Sequence, residues 1–143
     1  MKVIFIHNNF PGQFINLVKK LSCLNHEIVF ISHYKRQDII IKNIRHLFAP
    51  PLPVTHTTYK TYSQKTSHEM FLTGESFASV MIRLKKEKFI PDVVISHPGW
   101  GGSLYVKDIF PLAIHVGSAD TKKYRDQSHA HIRIKNMGTA TTA

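Results

Sequence analysis

Met1–Ser32 reads MKVIFIHNNFPGQFINLVKKLSCLNHEIVFIS, two short apolar runs flanking a segment with a helical period. Lys2 to His7 has the β-rich composition of a buried strand and is ended by Asn8-Asn9. Pro11 suits a first helical turn, where its missing N–H is not needed. Phe14, Leu17, Val18, Leu21 and Leu24 then recur at helical spacing, with Lys19 and Lys20 on the outer side. Cys23 falls on the apolar side and is expected in the core, and Asn25-His26 reads as a left-handed helix stop. Glu27 to Ser32 is a second strand. A strand–helix–strand unit of this length supports a parallel crossover, which is nearly always right-handed.

The rest of the chain extends that unit. A third strand is expected near Asn43 to Phe48, and Ala49-Pro50-Pro51-Leu52-Pro53 breaks it. Val54 to Ser67, rich in Thr, Tyr and His, reads as a long loop. From about Ser67, with Thr66 or Ser67 as cap, Met70, Phe71, Gly74, Phe77, Ala78, Met81 and Leu84 make one helical face of a core type. Val93 to Ile95 is apolar on both faces, as in the interior of a parallel sheet. A short helix up to Pro111 and a fifth strand over Leu112 to Val116 follow. The order predicts an α/β fold, an open doubly wound parallel sheet of Rossmann-like type, over residues 1–116. Residues 117–143 are polar, with few large aliphatic side chains, and read as a disordered tail.

Composition narrows the function classes. A chain of 143 residues, 43% apolar, suits one domain that folds without disulfides. A single cysteine fits a reducing compartment. No run approaches the ~18 apolar residues of a membrane span, and the first apolar run is shorter than a signal-peptide core. A cytoplasmic protein, or one peripheral to a membrane, is expected. The formal net charge of +10 favours phosphates, acidic lipid head groups or nucleic acid as partners. No zinc-finger spacing, RNA-binding aromatic signature or basic leucine repeat accompanies the charge, so nucleic acid is not an expected partner. An acidic membrane surface stays open. The densest run, Arg83, Lys85, Lys86 and Lys88, also suits a solvated helix end.

Two loops at expected strand ends carry the chemistry-bearing residues. In the first, His7-Asn8-Asn9-Phe10-Pro11-Gly12-Gln13, a helix N-terminus offers N–H groups to an anion and Gly12 permits close backbone approach. The candidates are Asn9, Pro11, Gly12 and Gln13; the same loop also reads as a tight strand-to-helix turn. Neither G-x-G-x-x-G nor a P-loop is present. The second loop is His97-Pro98-Gly99-Trp100-Gly101-Gly102. Trp100 could stack on a sugar or base, or could cover the core edge. His97 could donate a hydrogen bond, act as acid or base near neutral pH, or serve the turn alone. Gly99 and Gly101 constrain that loop. No metal set is expected: His129 and His131 in the tail lack an acidic or cysteine partner. No G-x-S-x-G elbow exists for a serine triad.

Taken together, the opening "FPGQF" (Phe10–Phe14), the later "HPGWG" (His97–Gly101) and Lys107-Asp108-Ile109-Phe110-Pro111 resemble the N-terminal domain of family 4 glycosyltransferases, over about residues 1–112. The resemblance implies one half of a GT-B enzyme, in which two Rossmann-like domains enclose the active site. It implies sugar transfer from a nucleotide-sugar donor to an acceptor, with retention and without a cofactor or metal. Pro11, Gly12 and Gln13 would then approach the donor phosphates, and His97 would contact the donor sugar as the catalytic candidate. The family keeps its main diphosphate-binding groups in a C-terminal domain. The expectation is therefore an acceptor domain, truncated and inactive alone, or one that needs a partner chain to supply the other half. The alternative is a non-enzymatic basic module for phosphate-bearing ligands or acidic membranes.

Overall fold

The protein, described by a computed structural model over residues 1–54 and 58–118, is built on one five-stranded parallel sheet. Its strands are β1 (Lys2–Ile6), β2 (Glu27–Ser32), β3 (Ile44–Phe48), β4 (Val93–Ser96) and β5 (Ile114–Gly117). The spatial order is β3-β2-β1-β4-β5, and all neighbours run parallel. The chain builds outward from β1 on one side, then returns to the other side of β1 through a long helix. The doubly wound, Rossmann-like architecture expected from the sequence is thus the one observed. The order reverses between β1 and β4, and such a switch point is where open α/β sheets leave a crevice at their carboxyl ends.

β1 is apolar on both faces because both faces are covered. Val3 and Phe5 face one layer with Ile28, Phe30, Phe10, Phe14 and Val18. Ile4 and Ile6 face the other, with Val29, Ile31 and Val94. On that second face lie α2 (Tyr62–Lys86), through Phe77, Val80, Met81 and Leu84, and α3 (Val106–Ile109). Each fully buried large side chain contributes about 1.5–3 kcal/mol of transfer free energy. β5 is an edge strand; Ile114 and Val116 are 65% and 44% exposed.

Several local expectations change. The first helix is a 3-10 turn (Gly12–Phe14) running into α1 (Ile15–Ser22). At two turns, α1 buries Val18 and Ser22 and leaves Leu17 exposed, and Leu24, beyond its end, is exposed as well. Cys23 lies just past the helix end and is exposed, not in the core, because the helix stops before its apolar side can include it. Asn25 and His26 are not left-handed; among the described residues, the positive-φ non-glycine residues are Asn43 and Lys88. Lys88 ends α2, with its own N–H donating to the Lys85 carbonyl and that of Phe89 to Leu84, a Schellman-type closure.

α2 begins five residues before the expected Ser67. Thr61 is its N-cap, and its side-chain oxygen accepts from the Gln64 N–H at 3.2 Å. The Gln64 side chain returns the favour by accepting from the Lys60 N–H at 2.9 Å. The long loop is correspondingly shorter. Phe71, placed on the apolar face by its spacing, is 53% exposed, because the buried stretch of α2 starts only at Gly74. Two lysines have structural work. Lys85 Nζ donates to the Ile109 carbonyl, and Lys107 Nζ to those of Pro111 and Ala113, so both satisfy the backbone where α3 ends. The expected polar tail lies, from residue 119 on, outside the described residues. Gly117 completes β5, and the Ser118 N–H donates to the Ser96 carbonyl at 2.8 Å. Among the described residues, no helix is long and apolar enough to cross a membrane.

Candidate functional site

Two histidines meet at the switch point. His7 follows the last residue of β1 and His97 follows the last residue of β4, and Ile6 and Ser96 are register partners. Adjacent parallel strands therefore deliver both side chains to one level at the carboxyl edge. Backbone bonds continue there: the His97 N–H donates to the Ile6 carbonyl and the His7 N–H to Ile31. Both histidines are about 6% exposed. Their rings are 5.6 Å apart at 80°.

The 97–101 loop is built around His97. Pro98–Trp100 forms a 3-10 turn capped by His97, whose Nδ1 accepts from the Gly99 N–H at 3.0 Å. In the neutral ring, that bond puts the proton on Nε2. The indole of Trp100 stacks on His97 at 4.2 Å and 20°, and meets His7 edge-on at 4.9 Å. Trp100 is 38% exposed, so part of the indole remains at the surface. Gly101 adopts a φ of +85 and packs against the backbone of Met70 in α2, which anchors the loop.

The 9–13 loop closes over the other side of His7. Gly12 has a φ of +55, and a Cβ there would stand 2.5 Å from the His7 ring. The glycine is required twice, by conformation and by space. Asn9 and Phe10 pair with Tyr34 and Lys35 in a short parallel ladder. His7 Nδ1 lies 2.8 Å from the Asn9 carbonyl and 3.0 Å from the Asn9 N–H. It can donate to the first when protonated and accept from the second when not, so either tautomer is anchored. Burial pushes His7 down to about 4, helped by the neighbouring His97 and opposed by the bond to the Asn9 carbonyl. The ring is therefore neutral near pH 7. Pro11 is buried behind a cis Phe10–Pro11 bond, and no side chain caps the 3-10 turn or α1. Gln13 is exposed, and its Nε2 donates to the Ser118 carbonyl at 2.6 Å, a tie from the β1 loop to the end of β5.

Of the sequence candidates, Gly12, His97, Trp100 and Gly101 gather around one aromatic cluster. Gly99 contributes its N–H to that cluster, Asn9 contributes its backbone, and Gln13 points its amide to Ser118. The centre of the cluster, His7, was quoted in its loop but not singled out. The available signal was that it stands directly after a strand, as His97 does. Two further pairs brace the sheet edges. The Ser32 hydroxyl donates to the Tyr34 carbonyl and meets His46 Nε2 at 2.6 Å; the Ser96 hydroxyl meets His115 Nε2 at 2.7 Å. Burial, then Lys35, lowers His46; burial, then Lys107, lowers His115. Among the described residues, no three His, Cys, Asp or Glu side chains converge as a metal site, and His129 and His131 lie outside them.

Comparison with known proteins adds two findings. Residues 24–131 match the family described as "Glycosyl transferase family 4 group". That span includes the His97–Gly101 loop, starts after Phe10–Phe14, and runs past Leu112, where the resemblance read from the sequence ends. Among solved structures, the chain is similar to the C-terminal domain of a hydrogenase from Pyrococcus furiosus, at 12% identity and a TM-score of 0.50, covering 83% of this chain and 90% of that one. That likeness concerns the fold alone. No curated protein matches.

Proposed function

Since the chain belongs to the glycosyl transferase family 4 group, we propose that the carboxyl end of its sheet, at the β1–β4 switch point, is the acceptor-side half of a retaining glycosyltransferase site that uses a nucleotide-sugar donor. The observation that carries this reading is the convergence of His97, Trp100 and the uncapped 11–13 turn at the β1–β4 switch point. A sugar ring presents an apolar face to stack on an indole, and hydroxyls to bond an imidazole. A diphosphate presents charge to the N–H groups of a helix start. Breaking the sugar–phosphate bond adds negative charge to the leaving diphosphate, which preorganised N–H donors stabilise without reorganising. The Nε2–H tautomer favoured for His97 is a donor, suited to a sugar hydroxyl or a phosphate oxygen.

Transfer needs groups on the far side of the donor as well, and we propose that a second, donor-binding domain or a partner chain supplies them. On this reading the 143-residue chain binds but does not turn over. Calorimetric titration with UDP- and GDP-sugars, beside a sensitive assay for released nucleotide diphosphate, tests both halves of the reading. Binding abolished by His97→Ala is the expected result. Steady turnover by the purified chain would overturn the need for a second domain. The non-enzymatic reading, adhesion to acidic membranes through the net charge, is separated by sedimentation with vesicles. Binding to acidic but not neutral lipid, lost as salt is raised, is its signature.

A further inference from the structure

One side chain touches both candidate loops. The His7 ring lies directly beneath Gly12, with no room for a Cβ between them. Phe14, from the same turn, meets it edge-on at 5.7 Å. On its other side the ring meets His97 at 5.6 Å and Trp100 at 4.9 Å, both nearly perpendicular. It is buried and fixed at Nδ1 by Asn9. A ring packed at interior density, with no slack on two sides, cannot shift against one neighbour without moving the other.

We propose that His7 is a positioning residue that couples the Gly12–Phe14 turn to the His97–Trp100 stack, so that a displacement of the turn is registered at the indole. The coupling is read from the packing; that a diphosphate of a nucleotide sugar is what moves the turn rests on the function proposed above. In that setting one ring aligns the phosphate-side turn with the sugar-side stack. The competing role for His7 is purely local, as the hydrogen-bond partner of the Asn9 backbone.

Trp100 is the single tryptophan of the chain, so its fluorescence reads this site alone. The test uses the full chain without ligand. Gly12→Ala drives a Cβ into the His7 ring and should shift Trp100 emission. Its acrylamide quenching should rise, by up to about 2.6-fold if the 38%-exposed indole is fully released. The same substitution in a His7→Asn background should have a much smaller effect. No change at Trp100, or an equal change in both backgrounds, overturns the proposal. Because Gly12→Ala is also strained by its φ, two single variants repeat the test without it. His7→Phe keeps the ring and loses the Nδ1 acceptor; His7→Asn keeps an acceptor and loses the ring. Coupling requires a native-like Trp100 signal in the Phe variant and a shifted one in the Asn variant. The reverse order, or no shift in either, overturns it. Inorganic pyrophosphate added to the unsubstituted chain forms a separate arm. Failure to bind counts against the nucleotide-sugar reading and leaves the ligand-free result standing.

Discussion

Gly101 lies with its Cα against the Met70 carbonyl of α2, so tightly that any Cβ at position 101 would overlap that backbone. This contact fixes the height of the His97–Trp100 loop relative to α2. Backbone on both sides cannot yield as a flexible side chain would. Gly101→Ala should therefore destabilise the fold by about 3 kcal/mol, combining left-handed strain with overpacking. Gly99, exposed in the same loop, is the control: Gly99→Ala should stay within about 1 kcal/mol of the parent. Urea denaturation of the two variants checks the contrast.

Acid should weaken the fold before any carboxylate is involved. His7 titrates at about 4 in the folded protein against an ordinary 6.5, chiefly through burial. Between those values the unfolded chain binds a proton that the folded one refuses, so stability falls as pH falls. Above 6.5 the ring is neutral in both states, and the full contribution is present. At ~1.4 kcal/mol per pH unit, discounted for partial solvent access, the loss from His7 is on the order of 2 kcal/mol by pH 4. His46 and His115 shift in the same direction and add to it. Denaturation midpoints at pH 7.5, 6 and 5 should decline steadily, and His7→Phe should flatten the slope.

The start of α2 can be tested by its cap. Thr61→Ala removes the oxygen that accepts from the Gln64 N–H and should cost about 1 kcal/mol. Ser67→Ala, at the position that the periodicity suggested, lies inside the helix and should be neutral or slightly stabilising, by about 0.5 kcal/mol. Thermal melts of the pair distinguish the two start points.

Trp100→Ala should weaken nucleotide-sugar binding by roughly tenfold, the loss of one stacking surface worth ~1.4 kcal/mol. Trp100→Phe should recover most of it. Calorimetry with the sugar that binds best to the parent provides the measurement, and far-UV circular dichroism confirms that both variants fold.

The centre of the sheet was legible because β1 and β2 are buried on both faces and so read as continuous apolar runs; Glu27–Ser32 has the same limits in sequence and structure. The first turns of α2 were not, because Tyr62, Ser63, Gln64 and Lys65 bury nothing and show no apolar period. Only the cap chemistry at Thr61 marks them. Cys23 misled for a related reason: periodicity extrapolates a helix past the point where it stops. Both candidate loops were visible as Gly- and Pro-rich turns after strands. Their meeting at His7 was not, since it depends on β1 lying beside β4, a pairing of residues about 90 apart in sequence that no local pattern encodes. The job of Lys85 was hidden likewise, inside what read as a solvated helix end, and nothing local marked that of Lys107.

The edge position of β5 bears on how the protein behaves in bulk. Ile114-His115-Val116-Gly117 carries neither a lysine nor a proline, the residues that usually blunt an outer strand. Among the described residues, nothing pairs with its outer side. The net charge of +10 on each chain opposes the approach of two such edges. That repulsion is screened within about 8 Å at physiological ionic strength and within ~3 Å at 1 M. Concentrated stocks should therefore stay clear at low ionic strength and turn cloudy as salt is added, the reverse of ordinary salting-in.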